Sequence, residues 1–326
     1  MIIAFFKNNN PASFILLPLL AIALWMIAFI SPAAYTPLQI MPFYGFIAMP
    51  VLNFPLLSSI LALILTIVGA FSLNFICNRN EIFAKQSFLP ALFYIVLMSI
   101  NNTVQVLHPI VFSNLFLLLS IAILIDSYRK DNAFSNAFNA GALISISALF
   151  YFPALFYFPL IGIALIIFRP FNWREWAISF IGVLTPFVFL FTYYFWNNRL
   201  LSLFEQIRTF FHFVKLSEYQ LFWFDFIPVI VGGIILLLSF VSVLNPSSNS
   251  QKSKKSIRLF FWLSLLAGSS FVIAPESSIN YLAVLIIPFA TFFTNYFLMA
   301  KKTKWAEFLF LLFIGSILLQ QLYNFL

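Results

Sequence analysis

Residues 55–77 read PLLSSILALILTIVGAFSLNFIC, a run of 23 residues with no charged side chain. As a helix rising about 1.5 Å per residue it is ~34 Å long, enough to cross the ~30 Å hydrocarbon layer of a bilayer. Similar runs recur on both sides of it, separated by short polar breaks. They predict helices near 13–31, 55–77, 88–100, 109–126, 136–151, 153–168, 176–196, 227–244, 259–273, 281–299 and 307–325. Two of these, 88–100 and 136–151, fall short of the ~17–25 residues a crossing usually needs. Tilt, a re-entrant path or extension into polar flanks would each account for them.

Composition agrees with lipid as the solvent. Of 326 residues, 63% are apolar and 8% charged, whereas a soluble domain carries about 25% charged residues. The reading is an all-α, polytopic transmembrane bundle of about eleven helices. Its first run, preceded by Lys7, is longer than a signal-peptide core and reads as an uncleaved helix.

Orientation follows from the basic residues, which accumulate in cytoplasmic loops. With the N-terminus inside, Lys7, Arg79, Lys85, Arg129, Lys130, Arg169, Arg174, Lys252, Lys254, Lys255, Arg258, Lys301, Lys302 and Lys304 fall inside. Arg199, Arg208 and Lys215 fall outside, all in one loop. The expected topology is therefore N-terminus cytoplasmic and C-terminus periplasmic. The chain divides into an eight-helix body over 1–244, a flexible basic cytoplasmic linker at 245–258 and a three-helix segment over 259–326. The uncharged, proline-rich loop 32–54 is expected to pack at the interface.

Two segments concentrate polar chemistry. The cytoplasmic elbow 168–176, FRPFNWREW, holds two arginines, two tryptophans and a glutamate. Pro170 stops the preceding helix, Asn172 is a good N-cap, and Glu175 three residues on fits a capping box. Trp173 and Trp176 read as interfacial anchors, with Arg169 and Arg174 reaching toward lipid phosphates or a partner. The outer segment 199–216, RLLSLFEQIRTFFHFVKL, has helical periodicity. Leu200, Leu203 and Ile207 share one face, and Glu205, Arg208, His212 and Lys215 the other. This predicts an amphipathic helix flat on the outer membrane surface, whose polar face has the spacing to bind phosphate or move a proton.

Other chemistries lack their residues. Ionisable groups are scarce within the spans, apart from Asp126 at a helix end near Arg129, which weighs against an ion-coupled pump. Two histidines, His108 and His212, and the single Cys77 supply no metal cluster. No glycine-rich phosphate loop or G-x-S-x-G elbow is present. Asn101-Asn102-Thr103 matches a glycosylation sequon by pattern, which in a bacterial chain would carry no meaning. No cofactor is expected, and the scattered basic groups do not form a nucleic-acid surface.

The stretch 134–176, FSNAFNAGALISISALFYFPALFYFPLIGIALIIFRPFNWREW, together with FFKNNNPASF at 5–14, resembles an uncharacterised membrane-protein family of Bacteroidota, a domain of unknown function. The resemblance implies the inner membrane of a Gram-negative cell and no assigned activity. Three functions stand in order. The first is a non-catalytic subunit or scaffold of an envelope machine, in contact with lipids and protein partners. The second is an enzyme or carrier for a polyprenyl- or lipid-linked substrate, resembling C-type glycosyltransferases but without an acidic residue in 32–54; Glu205 or Glu276 would have to replace it. The third is a solute transporter.

Overall fold

The computed structural model describes residues 2–35, 40–100, 105–130, 132–209, 223–244, 247–248, 250–270 and 282–325. Among these residues the chain forms fifteen α-helices, a 3-10 turn at Phe152–Tyr157 and no strand. Three helices are long and apolar enough to cross a membrane: Pro55–Arg79, Trp173–Trp196 and the Thr303–Tyr323 stretch of the last helix. The surface is inverted relative to a water-soluble protein. Phe180, Leu184, Val188 and Phe189 are exposed, while Ser113, Asn114, Ser120, Ser145 and Ser147 are buried. Lipid suits that arrangement, since it solvates the apolar exterior and leaves polar groups to pair within.

In chain order the helices are α1 (Ile2–Phe6), α2 (Ser13–Leu24), α3 (Met26–Ile30), α4 (Pro42–Leu52), α5 (Pro55–Arg79), α6 (Leu89–Met98), α7 (Pro109–Ile125) and α8 (Phe134–Phe150). After the 3-10 turn come α9 (Phe158–Phe168), α10 (Trp173–Trp196), α11 (Leu200–Thr209), α12 (Trp223–Leu244), α13 (Gln251–Ser270), α14 (Leu282–Met299) and α15 (Thr303–Phe325). The predicted first helix, 13–31, is interrupted at Trp25. Proline starts α4 and α5 at their first turn, where its missing N–H costs nothing.

The short α6 is the centre of the molecule. All ten of its residues are buried, packed against α5 and α14. It covers only ~15 Å. Beyond it Ser99 and Ile100 form a buried turn, the setting in which non-helical backbone is tolerated away from water. By contrast, α8 extends past the predicted 136–151 to start at Phe134 and reaches 17 residues. Loop 32–54 contains a helix the pattern does not announce, α4, which packs on α5 and α8 with Tyr44 and Ala48 buried.

Two helices meet without intervening side chains. At the α8–α10 crossing, Gly141 lies against the backbone of Ser179 and Val183, and Gly182 lies against the backbone of Phe138. Small residues let transmembrane-type helices approach this closely, where dispersion replaces the hydrophobic drive lipid cannot supply.

Contacts sort the connections into two ends. At the basic end, Phe88 N donates to Phe6 O at 2.9 Å, Arg79 pairs with Asp126 at 3.2 Å, and the Tyr128 ring meets Phe168. At the opposite end, Tyr44 Oη donates to Leu107 O at 2.8 Å and Leu107 N to Ser58 Oγ at 3.0 Å.

Candidate functional site

The elbow is where structure and sequence reading diverge most. Asn172 caps α10 as expected, its side-chain oxygen accepting from Arg174 N at 3.2 Å. The capping box does not close. Glu175 turns into the protein, where Oε1 pairs with Arg169 Nη2 at 3.0 Å and accepts from Ala133 N at 3.4 Å. Both side chains are buried, at 8% and 1% exposure. Arg169 therefore does not reach lipid phosphates; the carboxylate six residues on holds it inside. Burial makes each charge dependent on the other, because removing one partner from a buried, hydrogen-bonded pair costs far more than breaking a surface contact. The pair joins the α9–α10 elbow to the start of α8.

The rest of the motif does face outward. Trp173 and Phe171 are exposed, Arg174 lies 5.9 Å from the Trp173 ring centroid, and Trp176 packs on Gly162. These are the attributes of interfacial anchors. Neighbouring loops complete this end. Asp126 pairs with Arg79, not with the adjacent Arg129, whose φ of 58° turns its guanidinium over Tyr128.

The stretch expected to be a flexible linker is ordered from Gln251 onward as the first turns of α13. Lys252 Nζ donates to Asn80 Oδ1 at 2.7 Å, Ser253 Oγ donates to Ile82 O, and Lys255 sits 5.4 Å over the Tyr128 ring. Hydrophilic composition reads as loop; here the polar groups find partners that hold a helix. Lys7 donates to Phe297 O at 3.4 Å. Partial burial, with Lys85 adding repulsion, holds its ammonium below the usual lysine range.

At the opposite end the outer segment is a helix, α11, through Thr209. Part of its apolar face packs on the protein, while Leu201 and Phe204 are exposed. Leu203 is fully buried against Leu149 and Leu190, and Ile207 packs against Met41 and Phe152. Glu205 and Arg208 are exposed on the other face, as the periodicity implies. His212, Lys215, Glu276 and Asn101–Thr103 lie outside the described residues.

Sequence reasoning missed a buried polar knot where α6 ends. Trp25 Nε1 donates to Ser99 Oγ at 3.0 Å, and Gln321 Nε2 donates to Ser99 O at 2.7 Å. Gln105 Nε2 also reaches that carbonyl, at 3.4 Å. Glutamines in the last helix are a visible signal, but nothing in the sequence names their partner. Gln321→Leu is expected to lower stability by about 1–2 kcal/mol, because it deprives a buried carbonyl of its shortest hydrogen bond. Thermal unfolding in detergent measures it, and an unchanged midpoint contradicts the assigned bond.

With these contacts in place, relationship to known proteins can be weighed. A model of the family of unknown function DUF6427 matches residues 12–325. The chain belongs to that family. No curated protein and no solved structure matches it. For this DUF6427 member, both polar segments singled out in the sequence fall within the matched residues. Among the described residues no group of three or more His, Cys, Asp or Glu could hold a metal ion.

Proposed function

We propose that the protein is a non-catalytic, multi-pass subunit or scaffold of a cell-envelope assembly in a bacterial inner membrane. It crosses eleven times, with its N-terminus cytoplasmic and its C-terminus periplasmic. The observation that carries this reading is the placement of polar groups. Several of those within the bundle join helix to helix: Ser113 Oγ to Ser147 Oγ at 2.7 Å, Asn114 Nδ2 to Ala283 O at 2.9 Å, and Ser120 Oγ to Ala140 O at 3.1 Å. Charged side chains gather at the two ends, where partners and headgroups would meet them. The end that holds Arg79, Arg169, Lys252 and Lys255 is the cytoplasmic one in this reading, because positive charge is retained on that side.

The eleven crossings are 13–30, 55–79, 88–99, 109–125, 134–150, 152–168, 173–196, 223–244, 251–270, 282–299 and 303–325. Support comes from contacts at successive ends. For example, α14 meets α7 through Ala283 and Asn114 at one end and meets Lys7 through Phe297 at the other.

In-cell cross-linking followed by mild-detergent purification tests the scaffold assignment. The expected result is one or more inner-membrane proteins recovered in fixed ratio to the chain; recovery of the chain alone contradicts it. A second reading, action on a polyprenyl- or lipid-linked substrate, draws on Glu205 and Arg208, exposed three residues apart on α11 beside the apolar exterior of α10. For the scaffold reading, replacing Glu205, Arg208 and His212 together by alanine leaves an envelope or growth phenotype complemented. Loss of complementation at normal abundance would favour the substrate reading.

A further inference from the structure

A positive corner apart from the elbow is formed where α14 turns into α15. Lys301, Lys302 and Lys304 are exposed there, and with Thr303, Trp305 and Phe308 they line an open surface recess of about 570 Å³. No carboxylate lines it. Glu307, one turn further, lies on a different, small cavity shared with Lys7 and Ala4. At the elbow, by contrast, Arg169 already has a carboxylate at 3.0 Å.

The corner continues into an apolar track. Trp305 stacks on Phe308 with ring centroids 5.6 Å apart and planes at 28°, and both rings are more than half exposed. Spacings of four, three and four residues then place Leu312, Gly315 and Leu319 on the same helix face. Leu312 and Leu319 are exposed, and a Cβ at Gly315 would meet nothing within 4 Å, so the face is open there.

We propose that this corner binds one anionic phospholipid. Its phosphate sits among Lys301, Lys302 and Lys304, its glycerol region lies against Trp305, and an acyl chain runs along Phe308, Leu312, Gly315 and Leu319. Charge complementarity selects an anion, and the track running directly from the lysines selects a lipid over free phosphate, which would gain nothing from it. The inference rests on the reading of the bundle as membrane-embedded.

The test is native mass spectrometry of the purified full chain with added phosphatidylglycerol or phosphatidylcholine. One phosphatidylglycerol is expected to stay bound per chain while phosphatidylcholine is lost. In a Lys301→Gln, Lys302→Gln, Lys304→Gln variant, retention is expected to fall at least ~10-fold, given the several-fold attraction each lysine contributes near an anionic headgroup. A Lys254→Gln, Arg258→Gln variant serves as charge control and retains the lipid. Unchanged retention in the triple variant, equal loss in the control, or displacement by millimolar inorganic phosphate overturns the proposal. Alkaline carbonate extraction of the same membranes separates the two levels. A chain released by carbonate refutes membrane embedding itself, whereas an embedded chain with unchanged retention refutes only the lipid site.

Discussion

Glu175→Ala is expected to destabilise the protein by about 3–5 kcal/mol, the range for removing one member of a buried ion pair. The substitution leaves the Arg169 guanidinium inside the protein without the carboxylate now 3.0 Å away, and it also strips an acceptor from Ala133 N. A surface anchor would respond differently, since exposed pairs contribute about 1 kcal/mol or less. The informative companion is Arg169→Met with Glu175→Met, which removes both charges while keeping volume. It should recover most of the loss, because neither charge is then left in the interior without the other. Thermal unfolding in detergent, with membrane abundance as a second readout, distinguishes these outcomes. A double variant as unstable as the single one would show that the pair is needed for its geometry.

The second large effect belongs to the α8–α10 crossing. A Cβ at Gly182 would strike Phe138 O, and one at Gly141 would strike Ser179 O, both far inside van der Waals contact. Backbone cannot rotate aside as a flexible side chain would. Gly182→Ala is therefore expected to cost about 1–3 kcal/mol as overpacking, with Gly182→Val costing more. Gly268→Ala and Gly315→Ala, where nothing lies within 4 Å, should instead be neutral or gain up to ~1 kcal/mol from helix propensity. Opposite signs in the two sets are the signature of a crossing built on glycine; equal effects would contradict it.

How far the sequence could be read depended on the kind of interaction. Apolar run lengths located the main helices, because burial in lipid depends on local composition alone. The cap at Asn172 and the apolar face of α11 were legible for a similar reason, since both are set within one helical turn or two. Partner choice was not. Arg169 and Glu175 stand six residues apart, and a capping box competes with the ion pair for the same carboxylate; the further contact with Ala133 N comes from a neighbouring element that local sequence does not reveal. In like manner Gln321 reveals a hydrogen-bonding group, whereas its acceptor, Ser99 O, exists because α6 stops short. At 251–258 the charge and polarity suggest a loop, whereas the chain is helical there, with Lys252 and Lys255 meeting Asn80 and the Tyr128 ring. In the sequence the lysines at 301–304 mark topology; the structure adds the stacking of Trp305 on Phe308 beside them.

The central claim is an eleven-pass bundle with its basic end in the cytoplasm, and substituted-cysteine labelling tests it most directly. Cys77 is buried and is the chain's one cysteine, so Cys77→Ala gives a clean background. Single Lys85→Cys, Lys254→Cys and Lys302→Cys variants probe the basic end, and Leu201→Cys and Glu205→Cys the other. With a membrane-impermeant maleimide on intact spheroplasts, positions 201 and 205 should label directly, and positions 85, 254 and 302 only after permeabilisation. Labelling of position 85, 254 or 302 in unpermeabilised spheroplasts would contradict the account.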